Sequence, residues 1–139
     1  MKICIAYESK YGNGKKCVEH LQGVISKKGH DVETCSVRET KPGSLPQADV
    51  YVFSSPTHVG SPPRKMKKFL KNLEIKQERA KYALIATYMD PKTKTIQKME
   101  EILQETKNSI HHWSSFDFSS GFKFIFLFFS RQRSRSGLV

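Results

Sequence analysis

Acidic residues are scarce in this chain. It has 13 Asp and Glu against 24 Lys and Arg, a formal net charge of +11. That balance turns attention to anionic partners. The cations are spread through the sequence and frame no nucleic-acid motif, so no specific nucleic acid is expected and an acidic partner is the milder inference. Cysteine is also scarce. Cys4, Cys17 and Cys35 have an odd count and spacings that fit neither a disulfide framework nor a metal motif. They read as small core hydrophobes in a reducing cytoplasm. The five histidines show no metal spacing with cysteine or carboxylate, so no metal is expected. No apolar run approaches the ~20 residues needed to cross a bilayer. The run after Lys2 is too short for a signal peptide and ends at Glu8 and Lys10. The expected location is therefore cytoplasmic, and 139 residues suit one domain.

What is present is an alternation of two patterns. Ile3 to Tyr7, Val50 to Phe53 and Tyr82 to Ala86 are near-continuous apolar runs, as expected of strands covered on both faces. Asp31 to Val37 alternates like a short strand, with an edge position expected. Between them lie helical spacings. Gly14 to Lys28 carries Cys17, Val18, Leu21, Val24 and Ile25 on one stripe, and Gly29 stops it. Pro62-Pro63 opens a second helix with Met66, Phe69, Leu70 and Leu73 inward and a basic outer face. Asp90 and Pro91 are a sound helix start, with Ile96, Met99, and Ile102 or Leu103 buried in a helix running to about Lys107. This order predicts an α/β doubly wound parallel sheet with helices on both faces.

From about residue 108 the composition shifts to Ser, Phe and Arg. The sequence suggests a domain at 1–107 and an atypical basic tail at 108–139, with a fifth strand at 122–129. Three readings of that tail stand side by side. It is a terminal strand covered by another subunit, hence self-association through the Phe-rich run. Or it is an aromatic and basic interaction or membrane-surface tail. Or it is an aberrant C-terminus of the kind a slipped reading frame near residue 108 produces.

Three loops follow the first, third and fourth predicted strands. They are Ser9-Lys10-Tyr11-Gly12-Asn13-Gly14-Lys15, Ser55-Pro56-Thr57-His58-Val59-Gly60 and Thr87-Tyr88-Met89-Asp90. In a doubly wound sheet all three emerge at the carboxyl edge, where ligands bind at the switch in strand order. The first opens a helix and offers a hydroxyl and free N–H groups, a ready site for phosphate. Ser9 can donate its hydroxyl, the N–H groups from Tyr11 to Lys15 can ring the anion, and Lys10 or Lys15 adds charge. Gly12 and Gly14 allow positive φ and close approach. The other phosphate folds fall away. Gly12-Asn13-Gly14 is not continued as G-x-G-x-x-G, and a P-loop needs glycine at position 9. A phosphoacceptor site needs a carboxylate where the chain reads Phe53-Ser54-Ser55.

On these loops, residues 1 to about 107 resemble the flavodoxin family. Ser9 to Gly14 resembles its phosphate loop, in which hydroxyl residues alternate around a glycine. Ser55 to Gly60 is similar to its second loop, and Ser-Pro-Thr, an aromatic, glycine, then Ser-Pro-Pro is the most specific part of the match. Thr87 to Asp90 stands where the family wraps the other side of the flavin ring. The resemblance implies strand order 2-1-3-4-5 and FMN as cofactor, held by all the residues of the three loops. It implies His58 and Tyr88 as stacking partners and Gly60 as the site of a redox-linked peptide flip. It implies electron transfer with a redox partner protein, which the basic charge suggests has an acidic surface. A flavin-dependent quinone or protoporphyrinogen reductase-like enzyme and a cofactor-free binding module are the alternatives. The chain departs from the family at Tyr11 and Gly14, where threonine is common, and in the absence of tryptophan from the second loop.

Overall fold

In the computed structural model, which describes residues 1–10, 12–75, 80–88, 93–105 and 111–119, the three central strands of one sheet alternate their side chains between two covered faces. The elements in chain order are β1 (Lys2–Tyr7), α1 (Asn13–Lys27), β2 (Asp31–Ser36), β3 (Val50–Pro56), α2 (Arg64–Lys71), β4 (Lys81–Tyr88), α3 (Thr95–Glu105) and β5 (His111–Ser119). The strands are parallel and lie in the order β2-β1-β3-β4-β5. The chain winds to one side of β1 to make β2, then returns past it to make β3. That reversal places the carboxyl ends of β1 and β3 side by side, with Tyr7 in register with Ser54.

One face of the sheet carries Ile3, Ile5, Val50, Val52, Ala83 and Ile85, with Val18, Leu21 and Ile25 of α1 packed against it. The other carries Cys4, Ala6, Tyr51, Phe53, Tyr82 and Leu84 under Met66, Phe69 and Leu70 of α2 and Met99 and Leu103 of α3. Each fully buried aliphatic or aromatic side chain is worth about 1.5–3 kcal/mol in apolar area removed from water. The stripe expected on α2, including Leu73 just beyond it, is buried as predicted. Gly29, at φ 89°, stops α1 in the left-handed conformation that glycine adopts without strain.

One expectation shifts and one falls outside the described residues. Helix α3 begins at Thr95, with the Lys94 carbonyl accepting the Lys98 N–H at 2.9 Å; Asp90 and Pro91, expected to open it, lie outside the described residues. The strand beside β4 is His111–Ser119, upstream of the run 122–129 suggested for it, and that run also lies outside the described residues. Cys4 is buried and Cys17 and Cys35 are half-buried free thiols. Burial pushes all three thiols up, so they stay protonated and unreactive near neutrality. Among the described residues no helix is long and apolar enough to cross a membrane, and no group of three His, Cys, Asp or Glu is placed to hold a metal.

Candidate functional site

The first loop leaves β1 under tight control. The Glu8 N–H donates to the Ser54 carbonyl at 2.9 Å, which carries the β1–β3 pairing past the last strand residue. Ser9 then accepts the Gly12 N–H on its Oγ at 3.1 Å, a bond that leaves its hydroxyl proton to donate outward. Gly12 is the N-cap of α1, left-handed at φ 88°, and no side chain caps the helix. The Gly12 carbonyl accepts the Lys16 N–H at 3.1 Å. The N–H groups of the first turn therefore point out of the helix start with no side-chain cap among the described residues. No acid stands in that turn, and Lys15 is exposed beside it. Hydroxyl, amides, helix dipole and lysine together make an anion site.

The two glycines serve different ends. A Cβ on Gly12 would meet open space, but its φ is strained for any other residue. A Cβ on Gly14 would sit 3.2 Å from the Glu8 carbonyl oxygen and 3.4 Å from Ser9 Cβ. The space a threonine would need at position 14 is thus taken by the loop itself. Gly12→Ala is expected to lower stability by about 1–2 kcal/mol, and Gly12→Asn by less because Asn tolerates the left-handed region. Urea unfolding of the two variants checks this; equal losses would mean that backbone strain is not the cause.

The second loop is a braced hairpin. Ser55 is buried, with its hydroxyl donated to the Pro56 carbonyl at 2.9 Å, so it supports the loop from below. Pro56 ends β3 opposite Thr87, and the Thr57 N–H donates to the Thr87 carbonyl at 2.9 Å. His58 and Ser61 then exchange backbone hydrogen bonds of 2.7 and 3.1 Å around Val59 and Gly60. Both tip residues have positive φ, 51° and 72°, the signature of a type I′ turn. Val59 is a costly choice there, since a β-branched residue in this region carries roughly 1–3 kcal/mol of strain. It is also fully exposed, at 104%. His58 is exposed on the flank of the hairpin and Tyr88 is half-buried at the end of β4. Lys10 is exposed in the first loop. Tyr11, Met89 and Asp90 lie outside the described residues.

Two parts of the site were not read from the sequence. Thr57, Thr93 and Thr95 form a cluster of hydroxyls. Thr57 and Thr95 are 2.6 Å apart, Thr93 and Thr95 2.8 Å, and Thr93 donates to Thr57 at 3.4 Å. The Lys94 N–H adds a bond to the Gly60 carbonyl at 3.1 Å. The second loop is thereby fastened to the start of α3. A Thr-x-Thr just ahead of an amphipathic run is the signal that marks such a helix start. The second is Glu8, only 1% exposed, whose Oε1 accepts a hydrogen bond from Arg38 Nε at 2.5 Å. An acid closing an otherwise apolar strand needs a cation nearby; the sequence does not say which.

The arrangement is thus a phosphate-ready helix start at a strand-order switch, flanked by a braced turn. The sequence matches the flavodoxin domain family over residues 4–117. The chain belongs to that family. Solved flavodoxins share the fold at low identity. Oxidised flavodoxin 1 from Bacillus cereus is 19% identical, with a TM-score of 0.66 over 86% of each chain. The flavodoxin of Streptococcus pneumoniae TIGR4 is 17% identical, with a TM-score of 0.69 over 86% of this chain and 87% of its own. Flavodoxin from Fusobacterium nucleatum, solved bound to flavin mononucleotide, is 13% identical, with a TM-score of 0.60 over 82% and 76%. No curated protein sequence matches. The chain carries a net charge of +11 over the whole sequence.

Proposed function

We propose that this flavodoxin-family chain binds FMN and carries electrons between protein partners. Ser9 to Lys15 would surround the phosphate, and Ser55 to Gly60 and Thr87 to Asp90 would flank the ring, with His58 and Tyr88 against its faces. The observation that carries this reading is the uncapped, acid-free start of α1 beside the Ser9 hydroxyl at the β1–β3 switch. That donor set fits a phosphate dianion: a hydroxyl proton, first-turn amides and Lys15, with no carboxylate to repel it. Gly14 replaces a common hydroxyl donor, and the backbone takes up its share.

The residues then have defined duties. Loop 1 binds and locates the anion. The Thr57–Thr95 brace holds the second loop in position, and Ser55 supports it from beneath. The flavin, when bound, supplies the electron chemistry. Titrating purified protein with FMN tests the reading. One equivalent is expected to bind, with quenched flavin fluorescence and a shifted visible band. Stepwise one-electron reduction without turnover is expected, whereas steady turnover with NAD(P)H and a quinone would make the protein an enzyme. Protein that stays colourless and leaves FMN fluorescence unchanged would overturn the proposal.

A further inference from the structure

Helix α2 works against its own secondary structure, and the cofactor reading does not explain why. Five of its eight residues are cations, Arg64, Lys65, Lys67, Lys68 and Lys71, and none is an acid. Arg64, Lys68 and Lys71 recur at i, i+4 and i+7, so they form one line about 10 Å long down the helix. All three are exposed, as is Lys65, and Lys67 is half-buried. Met66, Phe69 and Leu70 are buried on the opposite side. Like charges at this spacing repel one another, and those in the first turn face the positive end of the helix dipole. No ion pair among the described residues relieves any of them. Helix α1, with 15 residues, has Glu19 among its lysines. Uncompensated conflict of the kind seen in α2 marks a functional surface.

The line of cations ends at a groove. Residues 41–44 and 71–74 enclose an open depression of about 600 Å³, lined by Lys41, Ser44, Lys71, Asn72 and Glu74 among others. Its two walls are tied together by the Glu74 N–H, which donates to the Pro42 carbonyl at 3.3 Å. Two ammonium groups against one carboxylate leave the groove with a single net positive charge. That suits a singly charged phosphodiester, with the Ser44 hydroxyl and the Asn72 amide at hand to donate. On the same face of the sheet α3 carries the acids Glu100, Glu101 and Glu105, so the basic surface is bounded on one side by a repelled one. The exposed side of α2 has no aromatic residue on which bases could stack. Aromatic residues gather elsewhere in the sequence, where Phe122, Phe124, Phe126, Phe128 and Phe129 run into Arg131, Arg133 and Arg135. That segment lies outside the described residues. By composition, aromatic beside basic residues suits the headgroup region of an anionic bilayer, and a cluster of lysines and arginines on an amphipathic helix suits the same surface.

We propose that the outer face of α2 and the groove at its foot rest on an anionic phospholipid surface, with a headgroup phosphate between Lys41 and Lys71. The contact is peripheral and electrostatic. Each cation near the surface adds to the attraction, which fades within a Debye length and weakens as salt screens it.

The test is cosedimentation of the full chain with phosphatidylcholine vesicles, with and without about 30 mol% phosphatidylglycerol. Binding is expected only where phosphatidylglycerol is present, and its affinity should fall about tenfold between about 50 and about 300 mM salt. Reversing Lys68 and Lys71 (K68E/K71E) takes the net charge from +11 to +7. So does reversing Lys27 and Lys28 at the end of α1 (K27E/K28E), on the other face of the sheet. The first pair is expected to weaken binding at least about tenfold and the second less than about twofold. Acids in the last turn of α2 oppose its dipole. K68Q/K71Q avoids that conflict, and it should unfold with the parent chain and bind about fivefold more weakly. K41Q should bind about threefold more weakly, since it removes one side of the headgroup site. Equal weakening by the two reversed pairs would reduce the effect to net charge and overturn the proposal. So would equal binding to phosphatidylcholine alone, or K68Q/K71Q and K41Q binding as the parent does. Displacement from the vesicles by excess glycerol phosphate would show a site for free phosphate and overturn the assignment to a lipid surface. Tighter binding of duplex DNA, lost in the same variants, would overturn it too. FMN affinity should be the same in every variant, so the outcome does not depend on the electron-carrier reading.

Discussion

Replacing Arg38 by alanine is expected to destabilise the protein by about 3 kcal/mol and to weaken FMN binding in the same variant. Glu8 follows β1 almost wholly enclosed, and Arg38, reaching across from beyond β2, is its one ion-pair partner among the described residues. The second carboxylate oxygen, Oε2, is buried with no hydrogen-bond partner among the described residues. Removing the guanidinium leaves a charge that water reaches poorly. Breaking a buried pair typically costs about 3–5 kcal/mol. The lower end applies because the Arg38 side chain is 31% exposed and solvent enters from that side. The unneutralised carboxylate would also stand below the loop proposed to hold a dianion, which accounts for the expected loss of affinity. Urea unfolding and FMN titration measure the two effects. Adding Glu8→Gln to the variant should recover most of both, since it removes the charge and keeps the shape. A loss below about 1 kcal/mol in the single variant would show that water already solvates Glu8.

Phe53→Ala is expected to cost about 3–5 kcal/mol, a large share of the roughly 5–15 kcal/mol that holds a domain together. Phe53 is 0% exposed and lies in register between Ala6 of β1 and Leu84 of β4. Met66 and Leu70 of α2 belong to the same buried cluster. The ring fills the layer between sheet and helix, and close-packed neighbours relax only partly into the space it leaves. The next residue, Ser54, accepts the Glu8 N–H, so the damage lies one step below both loops. Thermal and chemical unfolding give the size of the loss. FMN at about a hundred times its dissociation constant should return about 2.7 kcal/mol by mass action. A loss under about 2 kcal/mol would mean that the α2 side of the core closes over the gap.

The parts of this fold that were legible are those that repeat locally. Ile3 to Ala6, Val50 to Phe53 and Tyr82 to Ala86 are buried on both faces, and such strands announce themselves as unbroken apolar runs. Met66, Phe69, Leu70 and Leu73 announce α2 by their spacing. The first two loops were legible because each joins such a strand to the next element of the chain; of the third, Thr87 and Tyr88 are the last residues of β4, and Met89 and Asp90 lie outside the described residues. What was hidden depends on partners far apart in sequence. Glu8 finds Arg38 thirty residues away, and Thr57 meets Thr95 across 38. Neither pairing leaves a periodic trace. Gly14 reads in sequence as a missing hydroxyl, whereas in the fold the Glu8 carbonyl occupies the space beside it. A strand was expected on the aromatic density at 122–129, which lies outside the described residues, and the weaker alternation of Phe116 and Phe118 with Ser115, Asp117 and Ser119 drew no such expectation. The pairing partner of β4 is that weaker segment, and the family match extends into it, to residue 117.

The threonine brace has one more consequence. It joins the hairpin after β3 to the first turn of α3 through side-chain oxygens and the Lys94–Gly60 backbone bond. These contacts form from the protein's own atoms, so that side of the cleft has its shape before any guest arrives. A receptor built in advance loses little freedom when it is filled. Entry of the proposed FMN would then resemble a key meeting a cut lock.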